Sequence, residues 1–300
     1  TKAQIRETFG KYVDPRIVSG LLDRPELTDP QGARREMTIL FCDMKGFTSF
    51  SESMTPVGLV NVMNRYLTML SEPVRRNSGI IDKYIGDAIM AFWGPPFVSL
   101  EDEARLACFA AIEQLAVLPF FQSELPDLTG VRRGFPQIDL RVGIATGDVV
   151  VGNIGSEQTR NYTVLGDTVN VASRLEGVNK IYGTRILIGQ RTQELAASAI
   201  EVREIDSVLV VGKNEPERVF ELLGRRGEVA AERLELRDGF AAALADYRQQ
   251  AWDRAAKGFR DCLALAPDDA ASQVFLDRID RLRIEPAAAN WSGVWTLDRK

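Results

Sequence analysis

The chain has 300 residues, which suits one large domain or a medium-sized domain with an appendage. Its 42 acidic and 37 basic residues leave a net charge of −5, so we expect no nucleic-acid partner, which usually requires a basic surface. Histidine is absent, which excludes serine–histidine and cysteine–histidine nucleophiles and most zinc chemistry. Any catalysis must use carboxylates, Lys, Arg, hydroxyls or oxygen-bound Mg²⁺ or Mn²⁺.

Two further whole-chain features concern the compartment. The cysteines Cys42, Cys108 and Cys262 are far apart in apolar patterns, so we expect reduced core residues. No apolar stretch is predicted to span a bilayer, and no signal peptide opens the chain. Reduced cysteines indicate a cytoplasmic setting, and because the chain starts at Thr1 rather than Met we expect a fragment or a processed product. An anchor at the cytoplasmic face of the inner membrane stays open for the full-length protein.

Residues 1–33 form a lead-in with helical spacing, a restart at Pro15 and a proline-containing loop from Asp23 to Gly32. It is either a linker that couples to an upstream module or a cap on the domain. The next segment, Thr38–Cys42, has strand-forming residues that lead to the carboxylate of Asp43. A glycine-containing turn follows this acid, a setting that favours either a metal with a phosphate or a simple turn acid.

The middle of the chain alternates helices and hairpins. A helix starts at Thr55-Pro56, and a hairpin joins Ile80–Tyr84 to Ala88–Trp93. Further predictions are a helix over Glu101–Leu118, a loop over Pro119–Pro136, a strand over Ile138–Ile144, and a second hairpin that turns at Gly147-Asp148 into Val149–Val151.

The last part of the predicted sheet contains the strands Tyr162–Leu165, Ile186–Ile188, Val208–Val211 and Val219–Leu223, with helices over Thr168–Ile181 and Gln190–Ala197. This order predicts an α+β fold with a mixed or antiparallel sheet covered by helices on one face. The predicted divisions are a lead-in (1–33), a catalytic domain (34–224) and a helical C-terminal segment (225–300).

Polar side chains at strand ends supply the candidate site. Asp87 lies on the first hairpin turn, so Asp43 and Asp87 offer two hard oxygen donors that suit Mg²⁺ or Mn²⁺. Asn170 and Arg174 share one helical face and either bind a common anion or form an exposed polar stripe. Lys83 and Lys213, taken alone, have the pattern of surface lysines.

Four motifs occur in a fixed order: Phe41-Cys-Asp-Met-Lys-Gly-Phe-Thr48, Asp82-Lys-Tyr-Ile-Gly-Asp87, Gly143-Ile-Ala-Thr-Gly147 and Tyr162-Thr-Val-Leu-Gly-Asp-Thr-Val-Asn-Val-Ala-Ser-Arg-Leu175. Together they resemble the class III nucleotidyl cyclase catalytic domain, over roughly residues 34–224. The resemblance implies a ferredoxin-like core. The lead-in segment Phe9–Pro15 also resembles the link to an upstream sensor or transmembrane module in such cyclases.

The resemblance implies a role for each candidate residue. Asp43, Asp87 and the Met44 carbonyl would hold two Mg²⁺ or Mn²⁺ per active site, and the turn Gly46-Phe47-Thr48 would hold the nucleotide phosphates. Asn170 would orient the ribose, Arg174 would stabilise the transition state, and Lys213 would contact the terminal phosphates. Family domains act as head-to-tail homodimers, so the metal acids of one subunit would face Lys83, Thr163, Asn170, Arg174 and Lys213 of the other.

The base preference follows from hydrogen-bonding capacity. Lys83 is a pure donor that suits the N1 acceptor of adenine, and the Thr163 hydroxyl can accept from the N6 amine. Guanine presents the reverse pattern. The sequence therefore predicts an adenylyl cyclase that converts ATP to 3′,5′-cyclic AMP and pyrophosphate, with a guanylyl cyclase or a catalytically silent nucleotide-binding regulatory domain as alternatives.

The C-terminal segment changes in composition and has helical periodicity. Residues 237–267 resemble a single tetratricopeptide-like helical pair, with Ala255 and Phe259 at the matching spacing. One repeat cannot bury its own faces, so the pair either packs on the catalytic domain or binds a partner. Trp291 and Trp295 are predicted to be exposed, in an anchor strand or a disordered end.

Overall fold

The computed structural model describes residues 2–24, 32–210 and 213–297, without the side chains of Lys2, Ile5 and Arg6. The predicted loop across residues 25–31 and the predicted strand end at Val211 lie outside this part of the chain. The elements in order are α1 (Lys2–Phe9), α2 (Pro15–Asp23), β1 (Ala33–Lys45), α3 (Phe47–Ser51), α4 (Pro56–Arg76), β2 (Ile80–Ile85), β3 (Ala88–Trp93), α5 (Glu103–Thr129), β4 (Asp139–Gly155), β5 (Arg160–Leu165), α6 (Asp167–Tyr182), β6 (Ile186–Gly189), α7 (Gln190–Ala196), β7 (Ile200–Leu209), β8 (Glu217–Arg225), α8 (Ala231–Arg248), α9 (Trp252–Leu265), α10 (Ala270–Ile284) and β9 (Trp295–Thr296).

A mixed sheet organises the fold. Its strand order is β2-β3-β1-β4-β6-β8-β7-β9, and β5 pairs with β4 as an arm outside this row. β1 is antiparallel to both of its neighbours, and β4 is parallel to β6. The predicted α+β class with a mixed sheet is therefore confirmed, and β1 delivers Asp43 close to its C-terminal end in the middle of the sheet.

Helices cover both faces of the sheet, so the prediction of helices on one face is wrong. Side chains alternate along β1: Leu40 and Cys42 join the core under α4 and α5, whereas Met37 and Ile39 join the core under α6. The run Ile39-Leu40-Phe41-Cys42 is apolar at every position. Such a run is typical of a strand buried on both faces.

Helix α6 approaches the sheet very closely at Gly143. A Cβ atom at this position would lie 2.3 Å from the carbonyl oxygen of Ala172 and 2.3 Å from the amide nitrogen of Glu176. Only glycine allows the helix backbone to rest on β4, opposite Phe41 of β1. This contact places the α6 face beside the strand that carries Asp43.

The second predicted hairpin is not present, because β4 continues through Gly147-Asp148. Gly147 serves close packing rather than a turn, since a Cβ atom there would lie 2.6 Å from the Thr168 hydroxyl at the start of α6. The hairpin forms later, between β4 and β5, where the Ser156 amide donates to the Thr159 carbonyl at 2.9 Å.

Helix α5 is longer than predicted and runs through Pro119 and Pro126 into the expected loop. Buried contacts outweigh the proline cost, since the Phe121 ring packs edge-on against Tyr66 of α4 at 5.6 Å. Within the described residues this helix has the length and apolar composition to cross a membrane, contrary to the sequence prediction. It packs on α4 and the sheet, and core helices of soluble proteins meet the same criteria.

The C-terminal helices pack on the sheet edge rather than standing apart. Arg203 of β7 pairs with Asp269 at the start of α10 at 3.0 Å, and Arg278 of α10 pairs with Asp206 of β7 at 2.6 Å. Up to residue 297 the segment contains three helices, α8 to α10, and its tetratricopeptide-like character stays a prediction.

The terminal tryptophans are partly buried, which corrects the expectation of exposed rings. Trp291 lies against Tyr247 at 5.2 Å, and Trp295 lies in β9, which pairs in parallel with β7. The anchor-strand alternative therefore describes this end of the chain.

Candidate functional site

Two carboxylates meet at one end of the sheet. Asp43 lies near the end of β1, Asp87 lies on the β2–β3 turn, and the Met44 amide donates to Asp87 Oδ2 at 3.2 Å. Burial raises the pKa of Asp43 to about 7, and a hydrogen bond to Asp87, the charge of Asp87 and that of Glu176 act in the same direction. Burial and the nearby negative charges therefore disfavour the charged form of Asp43.

This donor set fits a hard divalent cation. The described residues contain no group of three His, Cys, Asp or Glu side chains that could hold a metal ion. Two carboxylates with a neighbouring backbone carbonyl leave coordination positions open for phosphate oxygens, as Mg²⁺ requires in nucleotide sites. A cation would also offset the burial and the nearby negative charges that raise the pKa of Asp43.

The expected phosphate-binding turn lies directly after β1. Gly46 is the N-cap of the short helix α3 and has φ +85°, a left-handed conformation that favours glycine. A Cβ atom at Gly46 would meet nothing within 4 Å, so backbone conformation rather than packing requires glycine here. Phe47 and Thr48 are the first two residues of α3, beside Asp43 in the chain.

The two expected base-reading residues meet at a carboxylate that the sequence analysis did not single out. Thr163 Oγ1 donates to Asp82 Oδ2 at 2.5 Å, and Lys83 Nζ lies 3.7 Å from Asp82 Oδ1. The β4–β5 arm supplies Thr163, and it also contacts the segment after β3, where the Tyr162 ring lies edge-on to Phe97 with 5.9 Å between the ring centroids. Asp82 is the first residue of the second motif. Its position next to Lys83 could have identified it as a candidate site residue from the sequence.

Asn170 and Arg174 lie one turn apart on one face of α6, as their spacing predicted, and both are exposed. Lys213 lies beside the start of this helix, where its Nζ is 2.8 Å from Asp167 Oδ2. The structure thus brings Lys213 to the helix that carries Asn170 and Arg174, a contact that the sequence analysis missed. The pairing acid, Asp167, is the first residue of α6.

A polar cavity of ≈ 440 Å³ opens beside Lys83. Its other walls include Asp82, Arg75 and the lead-in residues 10–14. The lead-in is attached here because the Ile81 amide donates to Asp14 Oδ2 at 3.2 Å. The lead-in therefore contacts the strand that carries Lys83.

Sequence comparison decides the family. The model of the adenylate and guanylate cyclase catalytic domain matches residues 30–223. The chain belongs to this family.

Two similar proteins are named adenylate cyclases. The cyclase domain is 38% identical over 221 residues to an adenylate cyclase of Anabaena cylindrica, a match covering 72% of this chain and 43% of the relative. It is 32% identical over 217 residues to adenylate cyclase 1 of Rhizobium meliloti, covering 72% of this chain and 32% of the relative. The chain therefore spans less than half of the length of these two relatives.

Solved structures give the same fold. The guanylyl cyclase Cya2 superposes with a TM-score of 0.59 at 33% identity, covering 66% of this chain and 96% of that one. The adenylyl cyclase CyaB from P. aeruginosa superposes with a TM-score of 0.59 at 29% identity, covering 66% and 98%. Since the two neighbours differ in their named activity, the cyclase fold alone does not select a base.

Proposed function

We propose that the chain is an adenylyl cyclase that converts ATP to 3′,5′-cyclic AMP and pyrophosphate at composite sites in a homodimer. The observation that carries this proposal is the meeting of Lys83 and Thr163 at Asp82, although β2 and β5 are far apart in the chain. An ammonium donor beside a hydroxyl acceptor matches the N1 and N6 edge of adenine.

In the proposed reaction the ribose 3′-hydroxyl gives up its proton to Asp43, to water or to the substrate itself, and its oxygen bonds to the α-phosphorus while the bond to the pyrophosphate oxygen breaks. Asp43, Asp87 and the Met44 carbonyl would hold two Mg²⁺ or Mn²⁺, which when bound supply Lewis-acid activation and neutralise triphosphate charge. Arg174 would stabilise the charge that develops on the α-phosphoryl oxygens, and Asn170 would orient the ribose.

Phosphate binding would rearrange one contact of the present structure. Lys213 now pairs with Asp167, whose side chain is mostly exposed. Such pairs contribute little stability, about 0–1 kcal/mol, so a triphosphate can replace the carboxylate as the partner of Lys213. The turn Gly46-Phe47-Thr48 of the other subunit would hold the same nucleotide phosphates.

A homodimer would complete each site. Asn170 and Arg174 project from an exposed face of α6, which leaves them accessible to a second subunit. The metal acids of one subunit would then face the base-reading and α6 residues of the other. We also propose that an upstream sensor or membrane module joins the lead-in, at the cytoplasmic face of the inner membrane.

The second candidate is a guanylyl cyclase, which the 33% identity to the guanylyl cyclase Cya2 supports. Lys83 disfavours this candidate because its ammonium can only donate hydrogen bonds, and guanine presents donors where adenine presents the N1 acceptor. The third candidate is a silent nucleotide-binding regulatory domain, which we disfavour because every position that the family's motifs require holds a matching residue.

Product analysis separates the three candidates. The purified chain is incubated with ATP or GTP and Mg²⁺ or Mn²⁺, and cyclic nucleotides are quantified by chromatography. Our proposal expects cyclic AMP from ATP at the higher kcat/KM. Preferential cyclic GMP would establish the guanylyl alternative, and nucleotide binding without any cyclic product would establish the silent domain.

A further inference from the structure

Asp82 is a buried carboxylate outside the predicted site. Its side chain is 2% exposed, and it receives a hydrogen bond from the Thr163 hydroxyl and an ionic contact from Lys83. One acid therefore holds both proposed base-reading side chains and connects β2 to the β5 arm.

A local irregularity in β2 creates this arrangement. The ladder pairs Ile81 with Ala91 and Lys83 with Met90, so Asp82 is an extra residue on β2. Successive side chains of a regular strand point to opposite faces, whereas a bulge allows neighbouring side chains to approach each other. The bulge thus lets Asp82 reach Thr163 while it stays beside Lys83.

The charge on Asp82 is supported by its partners. Burial raises the pKa of this carboxyl above its ordinary value, and the Thr163 hydroxyl, the Lys83 ammonium and the Val164 amide offset part of that rise. These contacts favour the carboxylate, which can only accept hydrogen bonds.

The direction of the Thr163 hydrogen bond has a chemical consequence. A hydroxyl carries one proton, and Thr163 commits this proton to Asp82 Oδ2. The Thr163 oxygen can then present only lone pairs to a ligand. It would accept from an exocyclic amine, as in a 6-aminopurine, and would repel the carbonyl that a 6-oxopurine presents at the same position.

We infer that Asp82 is a positioning residue that sets base selectivity by making Thr163 an obligate acceptor and by locating the Lys83 ammonium beside it. This inference rests on the proposed function, since it assigns Asp82 to the same nucleotide site. It adds a third residue to the selectivity pair and predicts that selectivity depends on a side chain that need not touch the base.

The test compares Asp82→Asn with the wild-type chain. The amide keeps the shape of the carboxylate and can donate to Thr163, which frees the hydroxyl proton. We expect the ratio of kcat/KM for ATP to that for GTP to fall at least about 10-fold, mainly through a higher KM for ATP, because one polar partner of the base is lost.

A double-variant comparison separates positioning from a structural role. In a Thr163→Val background, Asp82→Asn should change the ATP to GTP ratio much less than it does in the wild type. If Asp82 had only a structural role, Asp82→Asn would instead lower kcat/KM for ATP and for GTP by the same factor in both backgrounds. Asp14→Asn is the matched control, since this buried acid bonds the neighbouring Ile81 amide at 3.2 Å and should leave the ratio unchanged.

A binding measurement keeps the two proposals distinguishable. Calorimetry with the α,β-methylene analogues of ATP and GTP measures selectivity without turnover. An unchanged affinity ratio in Asp82→Asn overturns the inference, whether or not the chain is active. Absence of cyclic AMP from the wild type, with a ratio that Asp82→Asn still shifts, overturns only the proposed activity, and absence of any nucleotide binding overturns both.

Discussion

Asp43 behaves as one member of a pair. Its pKa is raised to about 7 because its carboxyl is buried and because the charged forms of Asp43 and Asp87 repel each other. Strongly perturbed pKa values cluster at functional sites. The raised pKa of Asp43 therefore supports a functional role for this pair of acids, which the motif alone did not provide.

Removing this carboxylate should stop catalysis while leaving the fold intact. For Asp43→Asn we expect a loss of activity on the order of 100-fold or more, the scale seen when one electrostatic stabiliser of a transition state is removed. Initial rates of cyclic AMP formation at saturating Mn²⁺ test this, with thermal unfolding as the check on folding.

The control for Asp43→Asn is Asp148→Asn, which removes the same charge from an exposed acid on β4. This variant should retain the wild-type rate. A wild-type rate in Asp43→Asn would instead remove Asp43 from the metal site.

At the scale of elements, the start of α5 carries a buried acid. Glu103 is fully buried, and Thr38 donates to its Oε1 at 3.3 Å, while Oε2 has no hydrogen-bond partner among the described residues. Burial raises the pKa of Glu103 to about 8. The Thr38 hydroxyl continues into a chain with Thr146 at 2.9 Å and Thr192 at 2.8 Å, which joins β1, β4 and α7.

This acid should make stability depend on pH. The folded state keeps the proton up to about pH 8, whereas the unfolded state loses it above an ordinary pKa of 4.5. The free energy of unfolding should therefore fall as the pH rises between these values, because the folded state binds more protons. Glu103→Gln removes this dependence and should be more stable than the wild type at pH 8, by on the order of 2 kcal/mol.

Urea unfolding at pH 5 and pH 8 measures the effect of Glu103→Gln. The difference from the wild type should grow between the two pH values. Glu101→Gln changes an exposed acid two positions earlier and should show no such growth. Parallel pH curves for Glu103→Gln and the wild type would mean that Glu103 is ionised in the folded state.

At the scale of the whole molecule, the C-terminal helices contact α6 through a buried ionic and hydrogen-bonded cluster. Arg278 of α10 is almost fully buried, pairs with Asp206 at 2.6 Å and donates to the Tyr182 hydroxyl at 3.0 Å. Its guanidinium also lies 4.1 Å from the Trp295 ring centroid. Because Tyr182 ends the helix that carries Arg174, the segment supports one wall of the proposed site.

Breaking this buried pair should loosen the C-terminal segment. Asp206→Ala leaves the Arg278 charge buried without its carboxylate, which costs about 3–5 kcal/mol in comparable pairs. We expect a lower melting temperature and faster proteolysis after residue 225. Asp261→Ala, which breaks an exposed pair with Lys257, should change stability by less than about 1 kcal/mol. Equal effects of the two variants would contradict the docking role.

The dimer can be tested by mixing inactive chains. Co-expressed Asp43→Ala and Arg174→Ala chains form heterodimers in which one of the two composite sites is intact. Random pairing should restore about a quarter of the wild-type activity, since half of the dimers are mixed and each has one working site. Mixing Asp43→Ala with Asp87→Ala should restore none, because each site then lacks one acid. A site contained in one chain would show no rescue in either mixture.

Sequence patterns predicted what is local. Asp43 at the end of an apolar strand, Asp87 on a tight turn and Asn170 with Arg174 on one helical face were all legible because each depends on a few neighbouring residues. The Thr55-Pro56 helix start is also present, with the Thr55 hydroxyl accepting from the Gly58 amide at 3.1 Å. The predicted division at residues 33 and 224 stays a prediction.

Contacts between residues far apart in the chain could not be predicted from these local sequence patterns. The glycine at 147 looked like a turn residue, yet a helix distant in sequence requires it there. The Pro119 end of α5 was missed because burial of residues after it outweighs the proline cost. In both cases a partner elsewhere in the chain reversed a local preference.

The sequence by itself determined the chemistry, since the residue types and their spacing within four short motifs define which groups a cyclase can use. Only the tertiary structure decided which of these groups share a partner. Thr163 meets Asp82 across 81 residues, and Arg278 meets Asp206 across 72. Such contacts depend on how the β4–β5 arm and the C-terminal helices fold back on the sheet, and no periodicity within a single segment records that geometry.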